Sequence, residues 1–144
     1  MNEKGYKKFE DLFNMIHNLK NQWDNSDEYS KSFIETTIGA AIFYLPTNKT
    51  TFSGYISEEA SLVDKKLWVK EHQFPRKITA SMLFQSLPKT IDELIQVFNT
   101  QYGIWNYVTK KENSLLKKYQ KSSEFKNPTE SYELAKIKLV KYPL

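Results

Sequence analysis

The 144-residue chain carries 21 lysines and arginines against 17 aspartates and glutamates, a net charge of +4 with a pI near 9.1, and it has no cysteine. Apolar residues at 40% and aromatics at 15% suffice for a packed core and exclude a wholly disordered chain, while the missing cysteines exclude a disulfide scaffold or a thiolate zinc site. The longest apolar run, Ala40 to Leu45, is too short to cross a bilayer as a helix, and the N-terminal stretch has no signal-peptide hydrophobic segment; the expectation is one cytoplasmic domain with no membrane partner.

Phe9, Leu12, Phe13, Ile16, Leu19 and Trp23 recur at spacings of three and four, which predicts an amphipathic helix over residues 7–23. Asn25-Ser26-Asp27 supplies turn and cap chemistry for a second helix from Glu28 to Tyr44. Its small-residue patch, Gly39-Ala40-Ala41, allows another element to approach closely, and Pro46 ends it. Thr47 to Gly54 reads as a polar loop, and Tyr55 to Val63 as either a short strand or a turn of helix. Leu67 to His72 alternates apolar and charged residues and reads as a strand stopped at Phe74-Pro75.

Ile78 to Leu87 reads as a helix, and Thr90-Ile91-Asp92-Glu93 as a capping box opening another to about Tyr102, where Gly103 ends it. Ile104 to Val108 is aromatic and β-branched, hence a strand. Thr109-Lys110-Lys111-Glu112 is a second capping box, starting a helix to about Lys121. A loop over residues 122–129, a short helix over 130–136 and an edge strand from Ile137 to Tyr142 complete the chain. The sequence has neither an internal repeat nor a linker, so residues 1–144 read as a single domain.

The charge is unevenly spread. Residues 65–77 hold five cations (Lys65, Lys66, Lys70, Arg76, Lys77) against Glu71, and residues 110–121 hold five lysines against Glu112. Each window nets +4 while the whole chain nets +4, which leaves the remainder at −4. Two basic windows on an acidic background fit a focused polyanion-binding face; ordinary solvated helix surfaces are the plain alternative.

The first window contains Glu71-His72-Gln73-Phe74-Pro75-Arg76-Lys77, with one of only two histidines and the only arginine. A carboxylate beside an imidazole can hold a divalent cation and accept a proton from water, because imidazole titrates at about pH 6.5. A guanidinium nearby can grip a phosphate through paired hydrogen bonds. The other histidine, His17, lies between Ile16 and Leu19 and reads as a helix-face residue. Trp23, Trp68 and Trp105 each sit in an apolar run and read as core anchors.

Glu71-His72 with Pro75 at the end of one strand, and Tyr107-Val108-Thr109-Lys110-Lys111-Glu112-Asn113 at the junction of another strand with a helix, together resemble the HNH nucleases. That family builds its site from two strands and a helix around one metal ion. The resemblance implies an α+β fold with a helical N-terminal half (residues 1–46) and an HNH-like ββα-metal core (67–121) with helices inserted between its strands, since His72 and Asn113 stand 41 residues apart. It implies His72 as general base, Glu71 and Asn113 as ligands of Mg²⁺ or Mn²⁺, and hydrolysis of DNA leaving a 5′ phosphate. Ile104 stands where the family has a bracing asparagine, with Asn106 as substitute support. Lys70, Arg76, Lys77, Lys110, Lys111 and Lys117 would bind phosphates. RNA is compatible as substrate, and a homodimer through the first two helices is expected if both strands are cut. The rival readings are a non-catalytic nucleic-acid-binding module and a protein-binding partner of immunity or antitoxin type.

Overall fold

In the computed structural model, which describes residues 1–46, 51–121 and 124–143, the first helix, α1 (Glu3–Asp24), opens where the Asn2 side chain accepts from the Gly5 N–H at 2.8 Å. That bond satisfies one of the donors a helix leaves unpaired at its start. The helix begins earlier than the apolar spacing predicts, because its first turn is polar and carries no periodic signal. Asp27 likewise caps α2 (Glu28–Phe43) by accepting from the Ser30 N–H. Helices α4 (Arg76–Gln85) and α5 (Ile91–Val97) join this pair. The stretch Phe98–Tyr102, predicted to continue as ordinary helix, is a wider π turn.

Phe9, Leu12 and Ile16 of α1, Ile34, Ile38 and Ile42 of α2, and Leu83 and Phe84 of α4 form one buried cluster with Leu94 and Phe98. Trp23 stacks on Phe84 with centroids 5.4 Å apart, and Phe9 meets Phe98 edge-on at 5.3 Å. His17 lies outside this core: its Nε2 bonds the Pro88 carbonyl at 2.8 Å and its ring packs on Phe13. Gly39 is the point of closest approach of α2 to α4. A Cβ there would lie 3.4 Å from the Lys77 nitrogen and 3.5 Å from the Arg76 carbonyl carbon. These helices make up one compact unit, Met1–Thr47 with Pro75–Tyr102; the second is Asn48–Phe74 with Gly103–Leu144. Helices α4 and α5, which lie between the two strands in chain order, are grouped with the N-terminal helices.

The second unit is built on a sheet. Its elements are β1 (Phe52–Ser57), α3 (Glu58–Ser61), a 3₁₀ turn at Lys65–Leu67, β2 (Trp68–His72), β3 (Trp105–Thr109), α6 (Lys110–Leu116), α7 (Pro128–Leu134) and β4 (Leu139–Lys141). Strand order is β2-β3-β1-β4, with the central pair β1 and β3 parallel and both outer pairs antiparallel. With α3 following β1, and α6 and α7 following β3, this is the connectivity of a split β-α-β-β-α-β sheet. The mixed α+β class expected from sequence is the class observed. Of the predicted loop at residues 47–54, residues 47–50 lie outside the described residues, and from Phe52 the chain is strand. The segment from Tyr55 to Val63 resolves its ambiguity by being both: strand to Ser57, then one turn of helix capped by the Ser57 side chain. The helix predicted to reach Lys121 stops at Leu116 and continues only as turns.

Register fixes which residues share a side of the sheet. Val69 pairs with Val108 and Glu71 with Asn106, while Trp68, Lys70 and His72 pair with Thr109, Tyr107 and Trp105. Consecutive strand residues point to opposite faces. Val69, Glu71, Asn106 and Val108 therefore share one face, against which α6 and Tyr132 of α7 pack. Trp68, Lys70, His72, Trp105 and Tyr107 share the other.

The close approach at Gly39 yields a size test. Gly39→Ala should keep or slightly raise stability, since the added methyl fits and alanine gains up to about 1 kcal/mol of helix propensity. Gly39→Leu should cost about 1–3 kcal/mol by forcing α4 away from α2. Urea midpoints of the two variants check this; equal midpoints would remove the packing argument.

Candidate functional site

The face under α6 holds a buried polar network centred on Glu71, which is 3% exposed. Tyr132 donates its hydroxyl to Glu71 Oε2 at 3.0 Å, and the Gln120 amide donates to Oε1. The Asn106 amide donates to the Tyr132 oxygen at 2.7 Å, and Ser53 donates its hydroxyl to the Asn106 oxygen. Asn106 is itself completely buried. β1, β2, β3, α7 and the turns after α6 each contribute one member, so the network ties the unit together.

Burial is the main influence on Glu71. It pushes the carboxyl up from the ordinary carboxylate value to about 7, and the hydrogen bonds from Gln120 and Tyr132 offset only part of that. Burial, and then the Glu71 charge, push the Tyr132 hydroxyl far above the usual tyrosine value, so it remains a proton donor at every working pH. Among the described residues the ion pairs are Lys20–Asp24 and Lys138–Glu58, and neither involves Glu71. A buried carboxylate normally has a cation beside it, either a side chain or a metal.

A further acid lies in the same layer. Glu112, in the first turn of α6, is 4% exposed; its Oε1 accepts from Ser57 Oγ at 2.5 Å and from the Thr109 N–H at 2.9 Å. Thr109 returns the bond by accepting from the Glu112 N–H, which completes the predicted capping box. The sequence flagged Glu112 only as that cap. The serine that buries it is 55 positions away, and nothing local announces the pairing.

The remaining predicted site residues fall in different places. Asn113 sits in α6 immediately after Glu112 and is half-buried. His72, half-buried, ends β2 on the sheet face opposite Glu71 and pairs with Trp105 in register. Asn106 sits directly across from Glu71 in the ladder and braces Tyr132 and Ser53. Lys70 is exposed with its Nζ 4.6 Å above the Trp105 ring. Lys110, Lys111 and Lys117 are exposed along α6 and at its end. Arg76 and Lys77 belong to the first unit. There the Arg76 guanidinium lies over the Phe43 ring at 4.2 Å, and Lys77 donates to Ser32 at 2.5 Å. Adjacency of Glu71 and His72 in sequence thus puts their side chains on opposite sides of a strand, which the dipeptide alone did not disclose.

Among the described residues no cluster of three or more histidine, cysteine or acidic side chains is placed to hold a metal. The donor set that the resemblance implies is smaller, one carboxylate and one amide oxygen. Hard oxygen donors of that kind suit Mg²⁺ or Mn²⁺, which keep most of their waters, and the missing counter-charge at Glu71 is what such a cation would provide. Compared with known proteins, the chain matches no protein family, no curated protein and no solved structure.

The raised Glu71 carboxyl has a measurable consequence. The folded protein keeps this proton up to about pH 7, whereas the unfolded chain releases it near the ordinary 4.5. The contribution is therefore fully present below about pH 4.5 and lost as pH rises through 7, a difference of about 3 kcal/mol. Unfolding free energy measured from pH 4 to 8 should fall more steeply for the wild type than for Glu71→Gln. Parallel profiles would show that the carboxyl is not strained by burial.

Proposed function

We propose that the second unit is a metal-dependent endonuclease of HNH type that hydrolyses DNA phosphodiester bonds. The observation that carries this reading is the buried Glu71 carboxyl, which has no cationic partner among the described residues, on the side of the antiparallel β2–β3 pair that α6 covers. Strand, strand and helix stand in the order of an HNH ββα-metal core, with α4 and α5 inserted between the strands. Glu71 and Asn113 would hold the cation. When bound it supplies positive charge to the scissile phosphate and to the departing 3′ oxygen.

The chain's own groups do the rest. β2 is an edge strand, and His72 is its last residue. A phosphate lying across that edge would meet the half-buried His72. The imidazole takes the proton of the attacking water, a step worth about 10²- to 10⁴-fold in rate. Lys110 and Lys111 on α6, and Lys117 just past its end, contact flanking phosphates and set register on the strand without reading sequence. Asn106 and Tyr132 hold the Glu71 carboxyl in place.

An alternative reading, a nucleic-acid-binding module without catalysis, is favoured by one observation: both Glu71 oxygens already accept hydrogen bonds, from Gln120 and Tyr132. Plasmid nicking with Mg²⁺ and Mn²⁺, with and without EDTA, separates the two. The nuclease reading expects metal-dependent nicking that His72→Ala lowers by about 10²-fold or more. It also expects Mg²⁺ to raise the melting temperature at pH 8 for the wild type and not for Glu71→Gln. Salt-dependent DNA binding without nicking by any divalent metal would leave the binding module in its place.

A further inference from the structure

The sheet face opposite Glu71 carries features that the hydrolase reading does not use. Trp68, Trp105, Tyr107, Phe52 and Tyr142 form a continuous aromatic surface. Trp68 and Tyr107 centroids are 5.2 Å apart, Trp105 and Tyr107 5.0 Å, Phe52 and Trp105 4.7 Å, and Trp68 meets Tyr142 edge-on at 5.9 Å. Only Trp105 among them is buried, at 4% exposure, with its indole N–H given to Thr51. The other four remain partly open to solvent.

Two cavities open on this surface, of about 420 and 520 Å³. Trp68, Tyr142 and Lys65 line both, so Trp68 and Tyr142 stand as the partition between neighbouring compartments. The Trp68 indole is held upright by donating to the Ala60 carbonyl at 2.6 Å. Two lysines reach over the rings: Lys65 Nζ lies 6.0 Å from the Trp68 centroid and Lys70 Nζ 4.6 Å from that of Trp105. Asp64, on the wall of the larger cavity, spends its carboxylate on capping the Lys66 N–H.

We propose that this face binds a single strand of DNA through unstacked bases, one in each compartment on either side of Trp68 and Tyr142, with Lys65 and Lys70 on the phosphates between them. Aromatic faces accept any base by stacking, and cations at the rim track the backbone; the pair of features selects a polyanion with flat apolar groups. A duplex keeps its bases stacked inside and cannot fill the cavities. Compartments of this size suit a base, within the range of small-ligand sites. The choice of DNA rests on the hydrolase reading, whereas the stacking argument stands on the sheet alone.

Tryptophan fluorescence of the whole protein, titrated with a short thymidine oligonucleotide in EDTA, tests the site without any hydrolysis. Quenching is expected, with affinity at least tenfold above that for a duplex of the same length. Lys65→Ala together with Lys70→Ala, both exposed positions that leave the fold intact, should weaken binding about tenfold and flatten its salt dependence. Trp68→Ala should weaken binding tenfold or more, and Trp68→Phe should restore most of it. Equal affinity for duplex and single strand, or binding untouched by both sets of variants, overturns the proposal. Tighter binding of the matching RNA overturns the assignment to DNA. Nicking activity that fails while the oligonucleotide still binds strikes at the hydrolase reading alone.

Discussion

The alternation of side chains along β2 is the constraint on which the sheet unit depends. Five residues, Trp68 to His72, send Val69 and Glu71 to one side and Trp68, Lys70 and His72 to the other. α6 and the Tyr132 ring close over Val69 and Glu71, whereas Trp68 and Lys70 belong to an aromatic, lysine-rimmed surface. A slip of one residue in pairing with β3 would exchange these sets, burying Lys70 and exposing the acid. The Glu71–Asn106 pair guards against it, because both side chains find their partners only in the observed register.

That guard is made of polar groups in a place where polar groups are costly. Tyr132 is central: it gives its proton to Glu71 and accepts from Asn106, so its hydroxyl joins α7 to both strands at once. Removing one member leaves its direct partner short of a bond in a buried place, a loss larger than the net worth of the bond itself. The arrangement is satisfied as hydrogen bonding yet unbalanced as charge, since two buried carboxylates, Glu71 and Glu112, lie near one tyrosine. A glutamine at position 71 would set an amide N–H against one of the two donors, Gln120 or Tyr132, so both acceptor oxygens are used.

Local signals in the sequence carried the helices and most strands. The caps at Asp27, Thr90 and Thr109 use side chains within four residues of the backbone they satisfy, so their geometry is written in short stretches of chain. The strand at Trp68–His72 and the class of fold followed from alternation in the same way. Partnerships across the chain did not. Ser57 with Glu112, and Gln120 and Tyr132 with Glu71, join positions 49 to 61 apart, and no local pattern marks them. Trp68 and Trp105 read as core anchors because apolar runs surround them. They share one sheet face and differ in burial, with Trp105 buried and Trp68 on the wall of two cavities. The grouping into two units was illegible for a related reason: residues 75–102 leave the sheet at Pro75 and return at Gly103, signals that end an element as readily as a unit.

β1 shows how the two faces of the sheet are kept compatible. Its pairing with β3 is irregular between Phe52 and Ile56, and Gly54 within that stretch takes φ +87°, a conformation that other residues adopt only with strain. No side chain is crowded there, so the requirement at Gly54 is conformational and not steric. Alternation puts Phe52 on the aromatic surface and Ser53, its neighbour, against Asn106 on the buried side, and the irregularity, two extra residues in β1, leaves that assignment unchanged. Beyond it, Ile56 is completely buried and Ser57 reaches Glu112. One strand thus serves the stacking surface and both buried acids. A side chain at position 54 would strain that local turn and act on both faces, so damage to the two sites should travel together through β1 although their own residues never touch the same ligand.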